Sequence, residues 1–184
     1  MIVLRHGESE FNRHFSATRR DPGIHDPALT PDGHAQAEHA AAALAAAAIS
    51  HIIVSPYTRA LETAVPLSRR LGVPVAVRDL VRERFAFACD IGSPRSLLQA
   101  RWPAHDFSAL AEIWWPEQAE SREAAMSRAA RFRSEMAAHT GSEQCLVISH
   151  WGFILALTGR SVPNGEWLTC DPRVEPPSAI VWKP

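Results

Sequence analysis

Four short apolar runs separated by helical stretches constrain this chain more than any other feature. Ile2-Val3-Leu4, Ile52-Ile53-Val54, Val73 to Val77 and Cys145 to Ile148 are bounded by turn residues and have the length of buried strands. Thr30-Pro31 is a helix start, with Thr as N-cap and Pro in the first turn. The helix it opens is predicted to run to about Ala48, with Ala37, Ala41, Leu44 and Ala48 on one face. A second helix is predicted from about Tyr57 to Leu71, with Gly72 as its stop and Pro66 as a kink. Ser121 to His139 is amphipathic, with Ala125, Ala129, Phe132 and Met136 on one stripe, and Trp151 to Leu157 opens another helix. Ala179 to Trp182 reads as a last strand at an edge. Strands that alternate with helices predict an α/β layered fold around a mainly parallel sheet.

Two segments escape this pattern. Residues 7 to 29 are rich in Gly, Asn, Ser, Asp and Pro and read as a long loop of functional type. Residues 79 to 120 carry three of the six Trp and three of the seven Phe, several prolines and two short helices; they read as a lid-like insertion in a single domain spanning 1 to 184. A chain of 184 residues with 46 % apolar content can bury a core of that size. A net charge of −1 leaves no global basic field for nucleic acid or an acidic membrane, so any anion site must be built locally. No run reaches the ~20 apolar residues of a membrane span, and Arg5 ends the apolar start too early for a signal peptide. The expectation is a soluble cytoplasmic protein. Three widely spaced cysteines, Cys89, Cys145 and Cys170, argue against a disulfide framework or a zinc site, and Cys145 reads as a core residue.

The polar residues that end the strands carry the chemistry. Arg5-His6-Gly7 comes directly after the first strand, where open α/β sheets place their ligands. Arginine offers a planar fork of donors for phosphate oxygens, histidine a neutral nitrogen nucleophile, and glycine a close backbone approach. Alone, the triplet reads equally as an ordinary polar strand end. Ser55-Pro56-Tyr57-Thr58-Arg59 comes after the second strand, with Arg59 in a first helical turn that favours anions rather than cations. By itself it reads better as a surface arginine. Ser149-His150-Trp151-Gly152 ends the fourth strand, where a lone histidine is more often a satisfied core residue. Arg82-Glu83-Arg84 reads singly as a surface ion cluster. Together they converge: three strand ends bring Arg5, His6, Arg59 and His150 to one sheet edge. A phosphate near such cations gains about 4 kcal/mol per charge pair at an effective dielectric near 20, as phosphoryl transfer requires.

These residues resemble the histidine phosphatase superfamily, the phosphoglycerate mutase-like clan. Leu4-Arg5-His6-Gly7-Glu8-Ser9 with Asn12 is close to its signature, and the segment from Asp26 to Ala37 is similar to the family's next conserved stretch. Ser55-Pro56 with Arg59-Ala60 and Glu62-Thr63-Ala64, and Ser149-His150 with Gly152, resemble its later motifs in the family's order. The resemblance implies a three-layer sandwich and a metal-free phosphatase with no cofactor. His6 would be the phosphorylated nucleophile, Arg5, Arg59 and His150 would hold phosphoryl oxygens, and Asn12 would add a polar contact. Glu83 matches the place of the general acid; the other branch puts an acid after the second histidine, where this chain has Trp151. Trp151 also stands where a small residue is usual and would wall the substrate end of the pocket. The segment from Arg84 to Ser93 departs from the usual Gly-rich sequence after the acid. The short lid favours hydrolysis of a small phosphorylated substrate. A phosphoglycerate-type mutase and a non-catalytic phosphate- or protein-binding module remain the alternatives. Arg13, His14, Arg19, Arg20 and Arg84 are candidates for further anionic groups on the substrate. The edge strand permits a homodimer.

Overall fold

A computed structural model describes residues 1–176 and 180–182. In chain order its elements are β1 (Ile2–Arg5), α1 (Glu10–Thr18), α2 (Pro31–Ala43), β2 (His51–Val54), α3 (Thr58–Leu71), β3 (Val75–Val77), α4 (Arg95–Arg101), α5 (Arg122–Ala138), β4 (Cys145–Ser149), α6 (Trp151–Thr158) and β5 (Trp167–Thr169). The strands form one sheet in the order β3-β2-β4-β1-β5. The first four are mutually parallel, and β5 alone runs antiparallel, against β1.

Alternate residues of each strand face opposite layers. Leu4, Ile52, Val54, Leu146 and Ile148 pack with Ala40, Ala41, Leu61 and Leu67 of α2 and α3. Val3, Ile53, Cys145 and Val147 pack with Phe132, Met136, Phe153 and Ile154 of α5 and α6. All five residues of β4, the middle strand, are buried, as a strand covered on both faces requires. The result is the expected three-layer α/β sandwich. Among the described residues, no helix is long and apolar enough to cross a membrane.

Four expectations are corrected. The stretch 7 to 29 contains α1, whose N-cap Ser9 bonds the Asn12 amide while the Asn12 side chain accepts from the Ser9 amide. The helix after Thr30 ends at Ala43, so Ala48 is exposed rather than on the packed stripe. Between residues 79 and 120 there is one α-helix, α4, plus two single 3-10 turns at Asp79–Val81 and Ala88–Asp90. The last strand is Trp167–Thr169: Ala179 lies outside the described residues, and Ile180 to Trp182 form no strand. α3 runs through Pro66 without a break.

Candidate active site

The sheet order puts β2, β4 and β1 side by side and parallel, so their carboxyl ends open on one edge. The register pairs Arg5 with Ser149 and aligns Leu4, Ile148 and Val54. Arg5, Ser149 and Ser55 therefore stand in one row, and His6 and His150 come one position further along their strands. The His6 and His150 rings lie 4.9 Å apart between centroids, and both are buried. His6 Nδ1 is 2.7 Å from the Gly7 carbonyl oxygen, to which it donates, leaving Nε2 with its lone pair. His150 Nε2 is 2.7 Å from the Ser55 hydroxyl. With that hydroxyl donating, the ring proton is on His150 Nδ1, which is buried without a partner.

The two arginines arrive from β1 and α3. Arg5 bonds the Val162 carbonyl at 3.0 Å through one terminal nitrogen, while its buried Nε has no partner. Arg59 is buried, and its guanidinium bonds the Cys89 carbonyl at 2.9 Å, the Asp90 carboxylate at 3.3 Å and the Tyr57 ring face at 4.3 Å. A basic residue in the first turn of a helix opposes its dipole. Asp26 offsets this at the same helix start, where its carboxylate accepts from the Thr58 amide and hydroxyl, each at 2.8 Å. Motif residues that make no approach to the cavity hold the loop after His6. Thr63 accepts from the Gly7 amide at 3.1 Å, and Gln36 from the Glu8 amide at 2.8 Å.

Glu83 sits at the start of α6. Its carboxylate accepts from the amides of Gly152, Phe153 and Arg84 at 3.0, 3.2 and 2.7 Å. A side chain at position 152 would collide with it, because a Cβ there would lie 2.5 Å from Glu83 Oε1. Burial, with Asp90 adding to it, pushes the Glu83 carboxyl above its usual range against those amide bonds. Burial, reinforced by Arg59 and Arg5, holds His6 well below the usual imidazole range, and His150 is lowered likewise. Both rings are therefore neutral at physiological pH. Arg5 is pulled down to about 10 by burial and remains charged.

Arg5, His6, Asn12, Arg59, Glu83 and Trp151 all line one cavity of about 510 Å³. His150 lies just beneath it, against His6. Trp151 forms a wall and donates from its indole to Ser161 at 2.9 Å. The Asn12 oxygen accepts from Ser9 and from Asn164. Of the further basic residues, Arg19 and Arg84 reach the cavity; Arg13 pairs with Glu10, and His14 and Arg20 lie on the exposed outside of that loop. Arg82 pairs with Glu120 instead of facing the site. Trp114 packs into the core against Tyr57, and the half-buried Trp115 packs edge-on against Trp114. The sequence did not single out Asp90 or Asn164. Asp90 is 1 % exposed and its second oxygen accepts from the amides of Ala86 and Phe87. Asn164 donates to the His6 carbonyl at 3.1 Å.

The histidine phosphatase superfamily (branch 1) family model matches residues 1–169 of the chain. A glucosyl-3-phosphoglycerate phosphatase of Mycolicibacterium vanbaalenii is 30 % identical over 184 residues, covering 91 % of this chain and 76 % of its own. A glucosyl-3-phosphoglycerate phosphatase of Mycobacterium tuberculosis is 28 % identical, covering 91 % of this chain and 78 % of its own. Among solved structures, the mycobacterial glucosyl-3-phosphoglycerate phosphatase complexed with VO3 superposes with a TM-score of 0.64 at 24 % identity, covering 91 % of this chain and 88 % of that one.

Proposed function

The chain belongs to the histidine phosphatase superfamily, and from that premise we propose that it is a metal-independent phosphatase acting on a small phosphomonoester through a phosphohistidine on His6. The observation that carries the reading is a neutral histidine with a fixed tautomer beside two buried donors that have no partner, Arg5 Nε and His150 Nδ1. Buried donors without partners cost stability, and an anion bound between them satisfies both.

The geometry supports the following steps. Phosphoryl oxygens take up the donors of Arg5, Arg59, His150 and the Asn12 side-chain NH2, and the two guanidiniums supply the charge that a metal supplies elsewhere. His6 Nε2 attacks phosphorus, the P–O bond to the leaving group breaks, and protonated Glu83 gives its proton to the departing oxygen. Glu83, now a carboxylate, takes a proton from water as the water oxygen attacks phosphorus. The P–N bond breaks, leaving inorganic phosphate, free His6 and a protonated Glu83. The raised Glu83 carboxyl suits the first role, and its amide bonds stabilise the anion in the second. The relatives named glucosyl-3-phosphoglycerate phosphatase support the reaction class. We read residues 1 to 184 as one domain, because all five strands share one sheet.

Hydrolysis of 4-nitrophenyl phosphate in EDTA tests the reading. Wild type is expected to turn over, His6→Ala to lose at least about a thousandfold in kcat, and wild type quenched in alkaline detergent, where a P–N bond survives, to carry phosphate on His6. Activity that EDTA abolishes, or that His6→Ala retains, overturns it.

A further inference from the structure

The phosphate floor fills only part of the cavity, and the remainder has an uneven chemistry. Phe11, Phe15 and Phe87 form a mutual cluster on its wall, with ring centroids 5.2 to 5.5 Å apart, and Phe87 is 39 % exposed. Phe11 and Phe15 stand one helical turn apart on α1, so their rings stack on the same face. The guanidinium of Arg19 lies 5.9 Å from the Phe15 centroid, at the rim of that wall. Among the described residues it has no carboxylate partner.

The cavity is poor in groups that would recognise a polyol. Hydroxyl-rich leaving groups are held by neutral amides, hydroxyls and carboxylates with bonding capacity to spare. Here Ser9 is engaged with Asn12, Ser161 accepts from Trp151, and Asn164 donates to the nucleophile's loop. Glu83 and Asp90 are each held by backbone amides. Beside the single Ser16 hydroxyl on the outer face of α1 and the guanidiniums of Arg84 and Arg122, what remains open is aromatic surface and the Arg19 cation. Exposed ring faces gain from contact with another ring beyond area burial, whereas they give a sugar's hydroxyls no partner.

We propose that this site prefers phosphomonoesters of planar aromatic alcohols carrying a second negative charge, with the leaving group against Phe11, Phe15 and Phe87 and its far anion on Arg19. The inference rests on the phosphatase reading and departs from the sugar-acid substrate in the names of the relatives.

The test uses esters of primary alcohols, so that leaving-oxygen chemistry stays similar: benzyl, cyclohexylmethyl and 4-carboxybenzyl phosphate, and glucose 6-phosphate. In wild type, kcat/KM for benzyl phosphate should exceed that for cyclohexylmethyl phosphate and for glucose 6-phosphate by at least tenfold. The 4-carboxy group should add a further three- to tenfold, and Arg19→Ala should remove that gain. Phe87→Ala, at an exposed position that the fold tolerates, should lower the benzyl to glucose 6-phosphate ratio at least fivefold. His6-dependent turnover with equal rates, or with the sugar ester preferred, overturns this inference and leaves the phosphatase standing. Absence of His6-dependent turnover on every ester overturns the phosphatase reading and this inference with it.

Discussion

Asp90 places a negative charge inside a site built for anions, and its bonds give the reason. One oxygen meets Arg59 and the other is held by two backbone amides, so the carboxylate fixes the direction of the guanidinium from behind. It also stands near enough to Glu83 to raise the carboxyl that must arrive protonated. Asp90 is thus a positioning residue with two effects separable by kinetics. Asp90→Asn should raise KM roughly tenfold through a loosened Arg59. With its neighbour's charge gone, Glu83 loses its proton at lower pH, so the alkaline fall of kcat/KM should move to lower pH. A profile that keeps its alkaline limb while KM rises would confine Asp90 to holding Arg59. His6, Arg5, Arg59 and His150 were legible in the sequence because each comes after an apolar strand at a fixed offset. Asp90 and Asn164 were not, because they lie on segments without helix or strand spacing, where no pattern says which side chains turn inward.

At the scale of elements, the loop after β1 crosses the start of α2 with backbone against backbone. A Cβ on Gly33 would lie 2.0 Å from the Glu8 carbonyl oxygen, and one on Gly7 would lie 2.3 Å from the Gly33 oxygen. Neither neighbour is a side chain that can swing aside. Gly33→Ala should therefore cost about 1–3 kcal/mol, seen as a fall in Tm, and should lower kcat as the loop carrying His6 shifts. Ordinary helix propensity would predict the opposite sign. The strands and α2, α3, α5 and α6 were readable because their apolar residues recur at strand or helical spacing. α1 was hidden because only Phe11 of its nine residues is buried, so its sequence has the polarity of a loop. The edge strand was misplaced because Trp167-Leu168-Thr169 is a three-residue run after Gly165, weaker in pattern than the apolar tail beyond it.

For the molecule as a whole, the buried site couples stability to pH. The fold keeps His6 and His150 neutral, whereas an unfolded chain protonates them near 6.5. The unfolded state therefore binds more protons once the pH falls below that value, and stability is lost as pH drops from 7 toward 5. Glu83 and Asp90, raised in the fold, act in the opposite sense: their contribution is present at low pH and is lost as pH rises through their folded values. Comparing variants separates the two. Between pH 7 and 5, Tm of His150→Asn should fall less than that of wild type; parallel curves would show that the ring's burial has no such linkage. The order of the strands has a further consequence, for synthesis. β1 is wedged between β4 and β5, which lie more than 140 residues further along, and no partner strand lies nearer in the chain. On the ribosome His6, the proposed nucleophile, is made long before its strand finds a neighbour, and β1 stays unpaired until β4 and β5 emerge. A stalled or truncated chain thus carries His6 without His150 and the rest of the sheet edge, and the proposed site is complete only when those two strands arrive.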